Sequence, residues 1–432
     1  MSSATSPDAP SEPPLFGRDF ALILATQLAF GLAFSSFFLL PKFVVTELHG
    51  SPSQVGYVGA LAVVAAVLVS PLCGKLLDRG TRRPLMFCGC LLSGVGALAF
   101  LGVTHVGSYL YAVRAVQGIS YTFYFVAAGT LVADLSPAAR LGQALGWFGS
   151  AGLLMNAVAT LLAERIAQNF GWHTVFVCAG VSGTLGSLLV LLVQEPANQP
   201  ARQPQVTSTP KSLQVTSTPK SLLRRETPDR ADPSSLLRRE TPDRADPSSL
   251  GERLPVLWAA AAGGAAFGVM FTFTQPLALQ LGDINISPLF AGYTAAALLV
   301  RLAFGNLADR LGRARVAGAA LAFYSLVVAT TAGLARGWLG VLGLGFGLAH
   351  GAFYPSLNAL ALEGVARKER GSVGAHFNAA FNGGVLLVTF CFGQVAQAYG
   401  YRVVFLLVAC LSASGCFLLL SQARKSWLAR PL

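Results

Sequence analysis

GKLLDRGTRR at residues 74–83 and GNLADRLGRAR at residues 305–315 are two versions of one polar, glycine-led turn. Each version stands between two long apolar stretches, and the two lie 231 positions apart. A charged turn repeated at the same place in two hydrophobic halves is typical of a duplicated membrane bundle. The pair therefore predicts an internal repeat that covers most of the chain.

The composition indicates a membrane protein. Of its 432 residues 53% are hydrophobic and only 12% are charged, whereas a soluble domain carries about 25% charged residues. The net charge of +12 is spread over short clusters between apolar runs, which argues against a nucleic-acid partner. The seven cysteines lie in or beside apolar segments without metal-ligand spacing, so they predict neither disulfides nor a metal site.

The chain contains twelve apolar segments of the length that crosses a bilayer, for which about 20 helical residues are needed. They cover residues 20–44, 53–77, 84–104, 107–131, 141–163, 173–194, 255–280, 287–308, 314–334, 337–361, 371–396 and 400–421. Backbone groups find no water partners in lipid, so these segments must be helices. The sequence predicts an all-α membrane protein with twelve transmembrane helices, arranged as two pseudo-symmetric six-helix bundles.

Polar segments divide the chain into predicted parts. These are a disordered cytoplasmic tail (1–18), an N-terminal bundle (19–194), a disordered cytoplasmic linker (195–254), a C-terminal bundle (255–422) and a cytoplasmic tail (423–432). The linker repeats QVTSTPKSL and LRRETPDRADPSSL identically, once each. Because these repeats are rich in proline and poor in apolar residues, they cannot bury a core. The alternative is a regulatory segment, since Ser234 and Thr227 stand near arginine pairs and suit phosphorylation.

The basic residues predict the orientation of the chain. With the linker left out, 15 lysines and arginines fall on the side of both termini and 4 on the other side. Positive charge accumulates on the cytoplasmic side of membrane proteins. We therefore expect a multi-pass protein of the cell membrane, plasma or inner, with both termini in the cytoplasm.

The two polar turns resemble the loop signature between the second and third helices of each half in the major facilitator superfamily. The second turn matches that signature throughout, while the first has Thr81 where the family usually has glycine. Arg114, followed by Gln117 and Gly118, resembles the family's fourth-helix pattern, and residues 351–371 resemble efflux-type members. The resemblance implies the major facilitator fold, with the first, fourth, seventh and tenth helices around a central path.

The resemblance also implies that the signature loops close the cytoplasmic side between the bundles. Asp78 would then meet the start of the eleventh helix near Ser372, and Asp309 the start of the fifth near Leu141. Basic loop residues would pair with acids on adjacent helix ends, which stand at matching offsets of 56 and 54 residues from the two aspartates. The candidates for this gate are Asp78, Arg79, Arg82, Asp134, Asp309, Arg310, Arg313 and Glu363. The alternative is interfacial charge that only sets topology.

Two matching helix faces are candidates for the substrate path. On the fourth helix the face consists of Arg114, Gln117 and Tyr121, and on the tenth of His350, Tyr354 and Asn358. An arginine inside a span needs a wet cavity or a partner, which favours a function for Arg114. His350 could instead form a hydrogen bond to a neighbouring helix. Arg301 could extend towards the cytoplasm or pair indirectly with Asp309.

These features together predict a secondary active transporter that moves a small organic molecule by alternating access, as an exporter. The alternatives are an importer of an organic anion or sugar, with Arg114 as the anion ligand, and a non-transporting membrane sensor of the same fold. Catalytic motifs are missing from the sequence, so we expect no enzyme, cofactor or metal. The expected partners are the bilayer and the substrate, with coupling to protons or another ion left open, for a monomer. No acidic residue stands in mid-span, which argues against standard proton–drug antiport.

Overall fold

The computed structural model describes residues 17–137, 140–195, 249–303, 311–365 and 369–428. These residues form helices and turns, without a strand among them. Nine of the described helices are long and apolar enough to cross a membrane. One of the nine, Leu141–Leu191, holds two segments because Gly171 breaks it with a φ of 80°. Ser287–Ala303 and Leu339–Ala361 occupy the eighth and tenth positions, which gives twelve helical segments in the described part.

We number these segments in chain order. They are α1 Arg18–Thr46, α2 Pro52–Asp78, α3 Arg82–Gly102, α4 Ser108–Leu135, α5 141–170, α6 172–191, α7 Arg253–Gln280, α8 Ser287–Ala303, α9 Arg313–Thr331, α10 Leu339–Ala361, α11 Arg370–Tyr399 and α12 Tyr401–Leu428. Each predicted span has a helix at its position. The prediction of an all-α membrane fold is confirmed.

Local sequence explains where helices begin and end. The hydroxyl of Ser51 accepts a hydrogen bond from the backbone N–H of Gln54, and the Gln54 side chain accepts one from the backbone N–H of Ser51. This reciprocal cap, with Pro52 in the first turn, fixes the start of α2.

A second internal repeat lies at the helix breaks. QNFGWHTVF at residues 168–176 and QAYGYRVVF at residues 397–405 place Gly171 and Gly400 between consecutive helices. Both glycines have positive φ, 80° and 83°, a region that other residues adopt only with strain. Two equivalent breaks in the two halves express the pseudo-symmetry of the fold.

Equivalent helix pairs pack in both halves. In the first half α3 packs on α4 and α6, and in the second α9 packs on α10 and α12. The crossing of α2 and α4 is so close that a Cβ on Gly118 would lie 2.1 Å from the Ala62 carbonyl oxygen. At the equivalent crossing of α8 and α10, a Cβ on Gly347 would lie 2.2 Å from the Tyr293 carbonyl oxygen. Small residues at these crossings let the backbones approach, as is typical of membrane helix pairs.

Three helix pairs of the described part join the halves: α2 with α11, α5 with α8 and α1 with α7. The structure differs from the predicted boundaries at two helix ends. Helical backbone begins at Ser249, six residues before the predicted start of the second bundle, and continues through Pro255. The last helix continues to Leu428, beyond the predicted end at residue 422. Asp309 and Arg310, both predicted gate residues, lie outside the described residues.

Candidate transport path and gates

The helix connections fall at two ends of the bundle. The signature-loop end consists of the connections at residues 78–82, 135–141, 191–195 and 361–370 together with the start of α9. The opposite end consists of the connections at 46–52, 102–108, 170–172, 280–287, 331–339 and 399–401. The signature-loop end and the opposite end face the two sides of the membrane.

At the opposite end, a buried ion pair of the first half forms hydrogen bonds to the backbone of the second half. Lys42 of α1 and Glu164 of α5 are 9% and 2% exposed, and the Lys42 Nζ lies 2.6 Å from the Glu164 Oε1. The Lys42 ammonium also donates to the Ile284 carbonyl oxygen in the second half. The Glu164 carboxylate accepts hydrogen bonds from the backbone N–H groups of Ile286 at 2.8 Å and Ser287 at 2.7 Å. A carboxylate thus caps the first turn of α8, where the helix dipole favours negative charge.

A second contact layer lies beside this pair. The Gln275 side chain donates to the Phe38 carbonyl oxygen at 2.6 Å, and the Phe38 ring lies 5.2 Å from that of Phe271. Gln168 donates to the Asn285 side chain at 2.7 Å. These contacts all join the first half to the second, so the opposite end is closed by several independent layers.

The crossing of α2 and α11 closes the same end from the other side of the bundle. A Cβ on Gly56 would lie 2.2 Å from the Thr389 carbonyl oxygen, so the two helices touch backbone to backbone. The Gln394 side chain donates to the Tyr57 hydroxyl nearby. The contact depends on glycine at position 56.

The signature-loop end has ion pairs within each half. The Arg82 Nε lies 2.5 Å from the Asp134 Oδ2, an ion pair without hydrogen-bond alignment, and the Arg82 backbone N–H donates to Glu195 at 3.2 Å. In the second half the Arg313 Nη1 lies 3.9 Å from the Glu363 Oε2. The structure therefore brings together one predicted basic–acidic pair in each half, although their role in gating stays a prediction.

Asp78 and Arg79 are exposed. Neither forms a hydrogen bond by its side chain or an ion pair with the described residues, and Asp78 does not reach the described start of α11. Among the described residues, hydrogen bonds join the halves at the opposite end and in the middle of the helices, where Thr294 donates to the Leu153 carbonyl oxygen at 3.2 Å. The ion pairs of Arg82 with Asp134 and of Arg313 with Glu363, at the signature-loop end, each lie within one half.

Arg114 has partners within its own half. Its Nε donates to the Val58 carbonyl oxygen of α2 at 3.0 Å, and its Nη1 donates to the Gln117 Oε1 at 2.5 Å. Gln117 is 2% exposed. Two hydrogen bonds to neighbouring groups account for an arginine inside a span, so Arg114 and Gln117 pack between helices in this conformation.

Aromatic side chains of α1 and α4 form one wall of the path. Tyr121 is 36% exposed, and its ring stacks on Phe34 at 5.0 Å and on Phe125 at 5.3 Å. Tyr124 is fully buried and therefore does not belong to this wall.

The second half supplies the facing wall around His350 of α10. Its ring lies 4.9 Å from Phe267, 5.8 Å from Tyr354 and 6.1 Å from Phe381, while its Nδ1 is buried without a hydrogen bond partner. The Tyr354 hydroxyl donates to the Asn378 side chain at 3.0 Å. Asn358 lies one turn further along α10 and is half-buried. We call the rings of Phe267, His350, Tyr354 and Phe381 the aromatic wall.

Sequence reasoning missed the residues that join the halves. Lys42 contributed only to the charge count, and Glu164 only to the observation that acids stand at span ends. No spacing rule connects two residues 122 positions apart on different helices. A usable signal was that both charges fall at the ends of apolar spans on the side with few charges.

Gly56→Ala is expected to favour the conformation that is open at the opposite end. The added Cβ would meet backbone of α11, and overpacking of this kind costs about 1–3 kcal/mol. In a cysteine-free background, a cysteine at Thr272, 7% exposed, should react with an impermeant maleimide about fivefold faster or more. The control is Gly74→Ala in the same helix, whose Cβ would meet nothing within 4 Å. Equal labelling of the two variants would show that this crossing does not hold the end closed.

Comparisons with known proteins agree with the geometry. The family description Major Facilitator Superfamily matches residues 22–282 and 255–431. The Multi-drug resistance efflux pump PmrA of Streptococcus pneumoniae is 25% identical over 392 residues, 89% of this chain and 90% of that protein. Multidrug resistance protein 3 of Bacillus subtilis is 29% identical over 148 residues, which is 34% of this chain and only 28% of that protein. The crystal structure of the nucleoside transporter NupG has a TM-score of 0.70 at 16% identity and covers 94% of this chain and 99% of its own, a likeness of fold.

Proposed function

The chain belongs to the major facilitator superfamily, and on that premise we propose that it exports a small organic molecule by alternating access. The observation that carries the proposal is the asymmetry of contacts between the halves. Buried polar and aromatic layers join them around Lys42 and Glu164. At the signature-loop end, the ion pairs of Arg82 with Asp134 and of Arg313 with Glu363 each lie within one half. A transporter that rocks two bundles around a central site needs such an end that closes while the other opens.

We assign the signature-loop end to the cytoplasm and the opposite end to the outside of the cell membrane. The excess of 15 basic residues against 4 supports this orientation. The described conformation is then open to the cytoplasm, which is the state in which an exporter loads its substrate. Both termini lie in the cytoplasm in this assignment.

Export is favoured over import by a relative whose printed name is an efflux pump, the Streptococcus pneumoniae protein. Import of an organic anion is the second candidate. The observation in its favour is Arg301, an arginine that has no counter-ion among the described residues, which suits an anionic substrate in either direction.

Flux in sealed vesicles tests the proposal. An ion gradient would be imposed across the membrane of right-side-out and everted vesicles. Each preparation would then be exposed to three labelled probes that share a naphthalene ring: 2-naphthoate, 2-naphthamide and 2-naphthylmethylammonium. Vesicles without the protein serve as the control. Export predicts that a probe accumulates in everted vesicles and that an ionophore abolishes the accumulation. Accumulation only in right-side-out vesicles would establish the importer, and no protein-dependent flux of any probe would favour the sensor.

A further inference from the structure

Arg301 lies within the span that the sequence predicts for residues 287–308, in the last turn of the described part of α8. It follows Ser287, the first residue of α8, by 14 residues, so it lies about 21 Å along the helix at 1.5 Å per residue. The hydrocarbon core is about 30 Å thick, and a guanidinium within it needs a partner or a wet cavity.

Arg301 has no such partner among the residues that the structure describes. Arg114, the other arginine within a span, donates to a carbonyl oxygen and to Gln117. Arg301, in contrast, forms no hydrogen bond or ion pair in the described part of the chain, and it is exposed. Three carboxylates that could neutralise an arginine form ion pairs with other residues: Asp134 with Arg82, Glu164 with Lys42 and Glu363 with Arg313. Asp309, eight residues further on, lies outside the described residues.

The surroundings of Arg301 are those of a path between the halves. Its Nη1 lies 3.0 Å from the position that a Cβ on Gly149 of α5 would take, so the guanidinium faces the first half at a point where no side chain stands. A Cβ on Gly351 of α10 would lie 3.2 Å from the Ala297 Cα and 3.3 Å from the Val300 Cβ of α8. The part of α8 that carries Arg301 therefore packs beside the part of α10 that carries His350 and Tyr354.

This combination selects the charge of a ligand. A guanidinium binds a carboxylate, sulfonate or phosphate through two parallel N–H donors. A cation at the same place would meet the charge of Arg301, with no carboxylate on the described residues beside it to compensate. The rings of His350, Tyr354 and Phe381 offer an apolar surface to a flat molecule.

We propose that Arg301 binds the anionic group of the transported molecule and that the aromatic wall holds its planar, apolar body, so that the substrate is an aromatic organic anion. This assignment rests on the proposed function, because it names the substrate class of the same path. It also moves the anion-binding role from Arg114, to which the importer alternative assigned it, to α8.

Binding to purified protein tests the site without any need for flux. The full chain would be reconstituted in nanodiscs of phosphatidylcholine, and the affinities for 2-naphthoate, 2-naphthamide and 2-naphthylmethylammonium measured by thermophoresis. The wild type should bind the naphthoate tightest of the three. Arg301→Gln should weaken naphthoate binding about tenfold or more, the loss expected for charge-assisted hydrogen bonds, and leave the amide unchanged. Arg301→Lys keeps the charge and loses the paired donors. Its affinity for the naphthoate should lie between the affinities of the wild type and Arg301→Gln.

Arg402→Gln, an exposed arginine at the opposite end, is the matched control and should bind all three probes as the wild type does. Monodispersity in size-exclusion chromatography would be checked for every variant. Naphthoate binding that survives Arg301→Gln, or a wild-type preference for the ammonium or the amide, would overturn the site. Loss of naphthoate binding when phosphatidylglycerol is added to the discs would instead assign Arg301 to an anionic lipid headgroup and overturn the substrate assignment.

The two failures are distinguishable. If the ammonium probe is transported and naphthoate binding does not depend on Arg301, the protein is a transporter and the anion site is wrong. Arg301-dependent binding with no flux would retain the site and count against transport.

Discussion

Replacing Glu164 by glutamine is expected to open the opposite end. The carboxylate accepts from Lys42, Ile286 and Ser287 in a nearly dry environment. Glutamine has a single acceptor oxygen, and its amide N–H group would face other hydrogen bond donors. Because glutamine is neutral, the Lys42 ammonium would also stay buried without its counter-charge. Removal of one partner of a buried ion pair costs about 3–5 kcal/mol, and here that cost falls on the closed conformation alone. Labelling of a cysteine at Thr272 by an impermeant maleimide should therefore rise by two orders of magnitude or more.

The design has two controls. Glu47→Gln removes a carboxylate that is exposed at the same end and should leave labelling unchanged. The double variant Lys42→Met with Glu164→Gln removes both charges and should label more slowly than Glu164→Gln alone, because no unpaired charge stays buried. Labelling of Glu164→Gln at the wild-type rate would show that the pair is not part of a gate.

Gly384→Ala is expected to destabilise the second bundle strongly. A Cβ on Gly384 would lie 1.9 Å from the Ala261 carbonyl oxygen, and a Cβ on Gly264 would lie 1.9 Å from the Phe381 carbonyl oxygen. The two glycines thus meet at one crossing of α7 and α11 from both sides. Both helices belong to the same bundle, so rocking of the halves does not relieve the clash. Overpacking against backbone costs about 1–3 kcal/mol and occasionally more, a large share of a stability of about 5–15 kcal/mol.

The neighbouring glycine is the matched control for this prediction. A Cβ on Gly383 would meet nothing within 4 Å, so Gly383→Ala makes the same chemical change one position away. The yield of monodisperse protein and its midpoint of thermal unfolding should fall for Gly384→Ala and stay at wild-type values for Gly383→Ala. Similar values for the two variants would contradict the close crossing of α7 and α11.

The sequence predicted the fold well because the determinants of a membrane bundle are local. Length and hydrophobicity fix each span, and the repeated polar turn fixes the duplication. The same local logic found the pairs of Arg82 with Asp134 and of Arg313 with Glu363, since their offsets along the chain match in the two halves. The predicted helices erred only at their ends, as at Ser249 and Leu428.

The contacts between the halves could not be predicted in the same way. The partners of Glu164 lie 122 and 123 residues away, on α1 and at the start of α8, and only the packing of three helices brings them together. Arg114 and Arg301 look alike in sequence, since each is one arginine in an apolar span. Packing separates them, because the Val58 carbonyl oxygen of α2 reaches Arg114 and no described group hydrogen-bonds to Arg301.

The central claim is that the two ends of the bundle open in alternation, and distances between spin labels measure this most directly. One label pair would join His105 and Arg336 across the opposite end, and a second would join Lys75 and Leu311 across the signature-loop end, all four being exposed. In the wild type without ligand we predict a short, narrow distance distribution for the first pair and a long one for the second. With Glu164→Gln the first distance should lengthen while the second shortens. Distances that lengthen together, or that do not change, would contradict alternating access in this protein.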